Sequence, residues 1–222
     1  MRKKSIFTLS LGLALGLIAG VAHAAFTPKF DVNLSNTKIK GNPALDFHLE
    51  FDADDEEIGN FKAYLPKGFN VAPDAAFPND TVIGGGNVII QAGPACANPS
   101  VPKPVSAPVT LDAEFLDKDR TDAQKDAGVH AVWYLDLEPL NRVPLLVTGS
   151  SKKGWVIEGA PTPSPNTCNP LTVDLTINTK GANGVAVVTN PTKKGNYTIK
   201  AEIFSQDSPS IATFKKVFKI TK

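Results

Sequence analysis

Apolar and polar residues alternate with a period of two along most of this chain. The clearest case is Leu45, Phe47, Leu49 and Phe51, set between Asp46, His48 and Glu50. Successive side chains of a strand point to opposite faces, so this pattern predicts a strand with one buried and one wet face. Phe30 to Leu34, Leu171 to Ile177 and Tyr197 to Ile203 read the same way. Further strands are expected at Phe61 to Leu65, Asn87 to Gln91, Val109 to Leu116, His130 to Leu137, Arg142 to Thr148, Gly154 to Glu158, Val185 to Thr189 and Ala212 to Thr221. Gly, Pro, Asn and Asp punctuate these runs, as expected of an antiparallel sandwich or barrel. One short helix is expected from the capping-box letters at Thr121-Asp122-Ala123-Gln124, and another turn in Pro73 to Pro78.

The ends of the chain alter this picture. A basic start, Arg2-Lys3-Lys4, leads into an uncharged run from Ile6 to Ala22 and then Ala22-His23-Ala24, the small-x-small pattern at which a signal peptidase cuts. Residues 1–24 are therefore read as a signal peptide, with 25–222 as one elaborated β-sandwich domain; two domains meeting near residue 105 is the alternative. No later run is long and apolar enough to span a bilayer as a helix, so no transmembrane segment is expected after cleavage. The expected location is secreted or extracellular, with association to a cell surface allowed.

Export also bears on charge and on cysteine. Of 23 basic residues, three fall in the leader, leaving 20 against 22 acidic ones. A nucleic-acid partner is not expected from this balance, because such binders carry a basic excess that neutralises phosphates. The two cysteines, Cys96 and Cys168, lie in proline-rich connectors and are expected to form a disulfide in an oxidising compartment.

Few constellations carry chemistry. The run Asp52, Asp54, Asp55, Glu56 and Glu57 offers carboxylates of the kind calcium takes, with Asp52, Asp54, Asp55 and Glu57 as candidate ligands, although the EF-hand frame is missing and a solvated acidic turn is the simpler reading. No other cofactor is expected. His48 and His130 are the only histidines after the leader, and no G-x-S-x-G elbow accompanies them. Ser150-Ser151-Lys152-Lys153 matches S-x-x-K by letter but ends at Gly154 between two strand runs, which suits a hairpin turn. Gly84-Gly85-Gly86 lacks a phosphate-loop frame and reads as a turn or bulge in a sheet. Tyr134 and Trp155 are candidates for stacking on a ligand, whereas Trp133 shares a face with Leu135 and Leu137 and belongs to the core. Lys215, Lys216, Lys219 and Lys222 decorate the final strand and would blunt a sheet edge, or else meet a wall polymer or an anionic surface.

Tyr197 stands near the start of the penultimate strand, where a tyrosine of immunoglobulin-like sandwiches bonds back across the preceding corner. The order of an alternating strand at 44–52, Tyr64-Leu65-Pro66-Lys67-Gly68-Phe69, Val82-Ile83-Gly84-Gly85-Gly86 and Gly93-Pro94-Ala95-Cys96 resembles a group of largely uncharacterised exported bacterial β-sandwich proteins of the immunoglobulin-like kind. The resemblance implies an all-β antiparallel fold and an exported location. The functional expectation is a non-catalytic binding or structural role, with an unknown protein or surface polymer as partner. The alternative is a secreted hydrolase acting on carbohydrate or cell-wall polymer.

Overall fold

A computed structural model describes residues 26–52, 58–90, 105–114, 128–137, 141–159, 170–206 and 208–222. The strands are Lys29–Leu34 (β1), Leu45–Glu50 (β2), Ile58–Leu65 (β3), Asn70–Val71 (β4), Thr81–Ile90 (β5), Val105–Glu114 (β6) and Val129–Leu137 (β7). They continue as Asn141–Ser150 (β8), Gly154–Gly159 (β9), Pro170–Ile177 (β10), Val188–Thr189 (β11), Gly195–Ser205 (β12) and Ile211–Ile220 (β13). The one helical turn among the described residues is a 3-10 turn at Asp74–Ala76, inside the 73–78 loop. The capping-box helix expected at residue 121 lies outside the described residues.

Eleven strands form one sheet in the order β1-β2-β10-β5-β6-β7-β8-β9-β3-β12-β13, and β4 pairs with β11 alone. Every ladder is antiparallel. The sheet rolls until its two edge strands meet, so the fold is all-β and nearly a closed barrel. The contact between the edges is parallel: Ile39 N donates to Thr221 O and Thr221 N to Thr37 O, both at 2.8 Å. Higher up, Lys216 Nζ reaches from β13 to Asp31 Oδ1 at 2.6 Å and Asn33 Oδ1 at 2.8 Å on β1. The Phe30 and Phe214 rings pack 5.7 Å apart beneath that clasp.

Period-two alternation decides what fills the interior. Val32, Leu45, Phe47, Leu49, Ala63, Leu65, Leu111, Trp133, Leu145, Ile157, Leu175, Ile199 and Ile203 point inward from nine strands into one continuous core. Trp133 is fully buried there, as its shared face with Leu135 predicts. A bulge interrupts β5 between Val82 and Gly84, where the triple glycine runs. A Cβ on Gly86 would stand 1.8 Å from Asp174 O, and one on Gly84 2.2 Å from Thr176 O. Both clashes are with the β10 backbone, so glycine lets two main chains approach closely at these positions.

The register sorts the connections into two ends. Strands β2, β5, β7, β9 and β12 finish at one end; at the other lie 35–44, 66–80, 150–154, 178–194, the C-terminus, the last residue of β6, Glu114, and Gly128 ahead of β7. The second end is called the plugged end below, because β4 and β11 fold across it.

Candidate binding surfaces

Five segments interlock at the plugged end. Gly68 N donates to Ser151 O at 2.7 Å, joining the turn after β3 to the β8-β9 hairpin. Trp155 Nε1 donates to Phe69 O at 2.9 Å, and His130 stacks on Trp155 at 4.4 Å while its Nε2 bonds Val71 O. Phe69 meets Tyr197 edge to face at 5.9 Å, and the Tyr197 hydroxyl donates to Lys193 O at 2.9 Å. That last bond closes the corner ahead of β12, as the position of Tyr197 predicts. Asn190, only 2 % exposed, holds the β1-β2 loop: its Nδ2 donates to Asn36 O at 2.8 Å and Lys38 O at 2.9 Å, and its backbone N donates to Gly41 O at 2.8 Å. Lys40 is kept at a positive φ of 54° within this clasp, with its N bonded to Pro191 O.

The charge on these five segments is of one sign. The β1-β2 loop carries Lys38 and Lys40, the turn after β3 carries Lys67, and the β8-β9 hairpin carries Lys152 and Lys153. Lys193 and Lys194 precede β12, and Lys222 follows β13, so eight exposed lysines share this end. Segments 35–44, 65–72, 149–156, 188–198 and 219–222 contain no Asp or Glu. The described salt bridges engage Lys29, Lys62, Lys200, Lys216, Arg142 and His48, and none of these eight lysines. Outside the five segments the same end also carries Asp74, Asp80, Glu114 and Lys180. Near-neutral composition thus coexists with a strongly basic end.

The outer walls carry both signs in pairs. His48 lies between register partners Asp31 on β1 and Asp174 on β10. Its Nδ1 is 2.6 Å from Asp174 Oδ1 and its Nε2 is 3.1 Å from Glu50 Oε1, while Lys29 Nζ closes on Glu50 Oε2 at 3.0 Å. Both ring nitrogens can donate only as imidazolium. The hydrogen bond to Asp174, then that to Glu50, accordingly raises the His48 pKa above its ordinary value. Across the roll, Tyr64 donates to Glu202, which also pairs with Lys200; burial first, then this carboxylate, pushes the phenol up to about 12. Lys62 pairs with Glu158 at 3.0 Å on the same wall.

The two candidate stacking residues are on opposite sides of the sheet. Trp155 is 3 % exposed and points into the core, whereas Tyr134 lies on the outer face with the Arg142 guanidinium 4.3 Å over its ring. Arg142 also reaches Asp80 at 3.4 Å. Ser150 and Lys153 form the expected tight turn, with Lys153 N donating to Ser150 O at 3.1 Å. Asp52 is exposed at the end of β2, while Asp54, Asp55 and Glu57 lie outside the described residues, as do Cys96 and Cys168. Among the described residues no group of three or more His, Cys, Asp or Glu is gathered to hold a metal ion, and no helix is long and apolar enough to cross a membrane.

The lysine-bearing end is what reading the sequence missed. Its signal was present in two copies, because Lys152-Lys153-Gly154 and Lys193-Lys194-Gly195 are both turn-forming K-K-G runs without neighbouring acids. In comparisons with known proteins, the chain matches no family model and no curated protein.

Proposed function

We propose that the chain is exported with residues 1–24 removed and acts, secreted or held at a cell surface, as a non-catalytic binding module whose partner is a surface polymer. The observation that carries this reading is the plugged end, where eight exposed ammonium groups have no carboxylate to meet within the described fold. Like charges gathered on a folded surface repel one another, and an external anion relieves that cost. The inward faces serve a single packed core, which leaves the ends and outer walls for recognition.

An immunoglobulin-like sandwich is the architecture we assign to this module. Eight strands already give a barrel whose interior side chains just fill it, so eleven strands around one filled core favour a roll flattened into two facing layers. The Tyr197 hydroxyl bond to Lys193 O supports the same assignment. The functional reading is tested by expressing the full chain and locating it. The mature protein should begin at Ala25, sit outside the cytoplasm and release nothing from polysaccharide, peptidoglycan or peptide substrates. Saturable turnover of any of these would replace the binding module with a hydrolase.

A further inference from the structure

Resting on that reading, we propose that the plugged end and the adjoining outer side of β13 form one continuous track for a flexible, linear phosphodiester polymer that carries no bases. Lys219 and Lys215 extend the basic surface from Lys222 up the exposed face of β13. At about 3.3 Å per residue the step from Lys219 to Lys215 is roughly 13 Å. The track therefore turns a corner, from the end of the roll onto its wall.

That corner selects the partner. A planar membrane touches the end or the wall, but a flexible chain drapes over both. Membrane binding also gains from apolar side chains that enter the headgroup region. Of the exposed large hydrophobics among the described residues, Ile211 and Val217 share the β13 face with Lys215 and Lys219, while none of the three lies in the five lysine-bearing segments of the end, so apolar anchors stand on the wall alone. Single-stranded nucleic acid is bound on aromatic platforms and by arginine. The aromatic rings at this end, Phe69, Trp155 and Tyr197, are each engaged in packing or hydrogen bonding, and the segments hold no arginine. Lysine alone supplies point charges that suit closely spaced phosphates without reading their substituents.

The test uses the mature chain with long-chain inorganic polyphosphate and with poly(glycerol phosphate), titrated by calorimetry over a series of salt concentrations. If about five phosphates are neutralised, affinity should fall roughly 100-fold between about 50 and 200 mM salt, with a log-log slope near −3.5. The variant Lys152→Gln/Lys153→Gln/Lys193→Gln/Lys194→Gln should reduce that slope by about 3, because four contacts are lost. These side chains are exposed, so its melting curve should match the parent. Lys29→Gln, at the opposite end, should bind as the parent does. Undetectable binding to poly(glycerol phosphate) at low salt, an unchanged slope in the fourfold variant, or tighter binding to anionic vesicles, single-stranded DNA or polyglutamate than to poly(glycerol phosphate) would overturn the proposal. Failure on every polyanion without any substrate turnover would remove this track and leave the broader binding-module reading intact, whereas turnover would remove that reading.

Discussion

Replacing Asn190 tests whether one buried side chain holds the edges of the roll in register. Asn190 fixes the 36–41 loop, and that loop supplies the Thr37 and Ile39 backbone groups that bond Thr221 across the β1-β13 seam. Its Oδ1 is buried without a hydrogen-bond partner, so the benefit of the side chain comes through the two donors on Nδ2. Asn190→Ala removes both bonds; at about 0.5–1.5 kcal/mol each, with part of a desolvation penalty for the carbonyl left behind, the loss should be about 2–3 kcal/mol. Asn190→Asp keeps the shape but turns two donors into acceptors facing the Asn36 and Lys38 carbonyls, so it should cost more than alanine at neutral pH. Urea denaturation with a common m-value measures both losses. Hydrogen exchange at Ile39 and Thr221 should accelerate in step. An aspartate variant as stable as the alanine one, or an alanine variant within about 0.5 kcal/mol of the parent, would refute the donor-clasp argument.

Four further outcomes follow. Because the folded pKa of His48 is raised, first by Asp174 and then by Glu50, its contribution to stability is complete below the ordinary value of 6.5 and is lost as pH climbs through the higher folded value. His48→Gln should flatten that alkaline decline in melting temperature. Asp31, held low by Lys216, acts in the opposite sense: its contribution is present above the ordinary 3.8 and lost as pH falls through the lower folded value, a loss that Asp31→Asn should remove. Gly86→Ala should cost several kcal/mol or prevent folding, since the new Cβ meets Asp174 O at 1.8 Å, while alanine at Gly184, where nothing lies within 4 Å, should show only the strain of a φ of 81°. For Cys96 and Cys168 we propose a disulfide. Their loops leave β5 and β10 at Ile90 and Pro170, which are register partners, so the chain needs only short spans to bring the sulfurs together. Non-reducing peptide mapping should find the bridge, and the double serine variant should lose up to about 4 kcal/mol without changing its circular dichroism.

Alternation exposed the individual strands because each carries its own record of which face is dry. Leu45 to Phe51 is buried on alternate residues as read, and Tyr197 makes its corner bond. Strand order left no such record. β10 is inserted between β2 and β5, and β3 between β9 and β12, through pairings distant in sequence that no local pattern encodes. The two-residue strands β4 and β11 are too short to show a period. Trp155 shares its face with Ile157, so its burial was legible from the same rule that placed Trp133. The basic end was hidden for a different reason. Net charge is a sum over the chain, and only the fold gathers lysines from five separated segments while pairing other charges on the walls.

The parallel meeting of the first and last strands has a mechanical consequence. β1 begins at the end opposite the lysines, and β13 finishes among them, so tension between the two termini pulls these strands in opposite directions along their own axes. The six register pairs of β1 with β2 and the ten of β12 with β13 would then be loaded together in shear. A ladder pulled from one end opens bond by bond, whereas a sheared ladder must give way across its length at once. A polymer gripping the C-terminal end while the N-terminal side is dragged by flow would pull along the direction in which this sheet resists best.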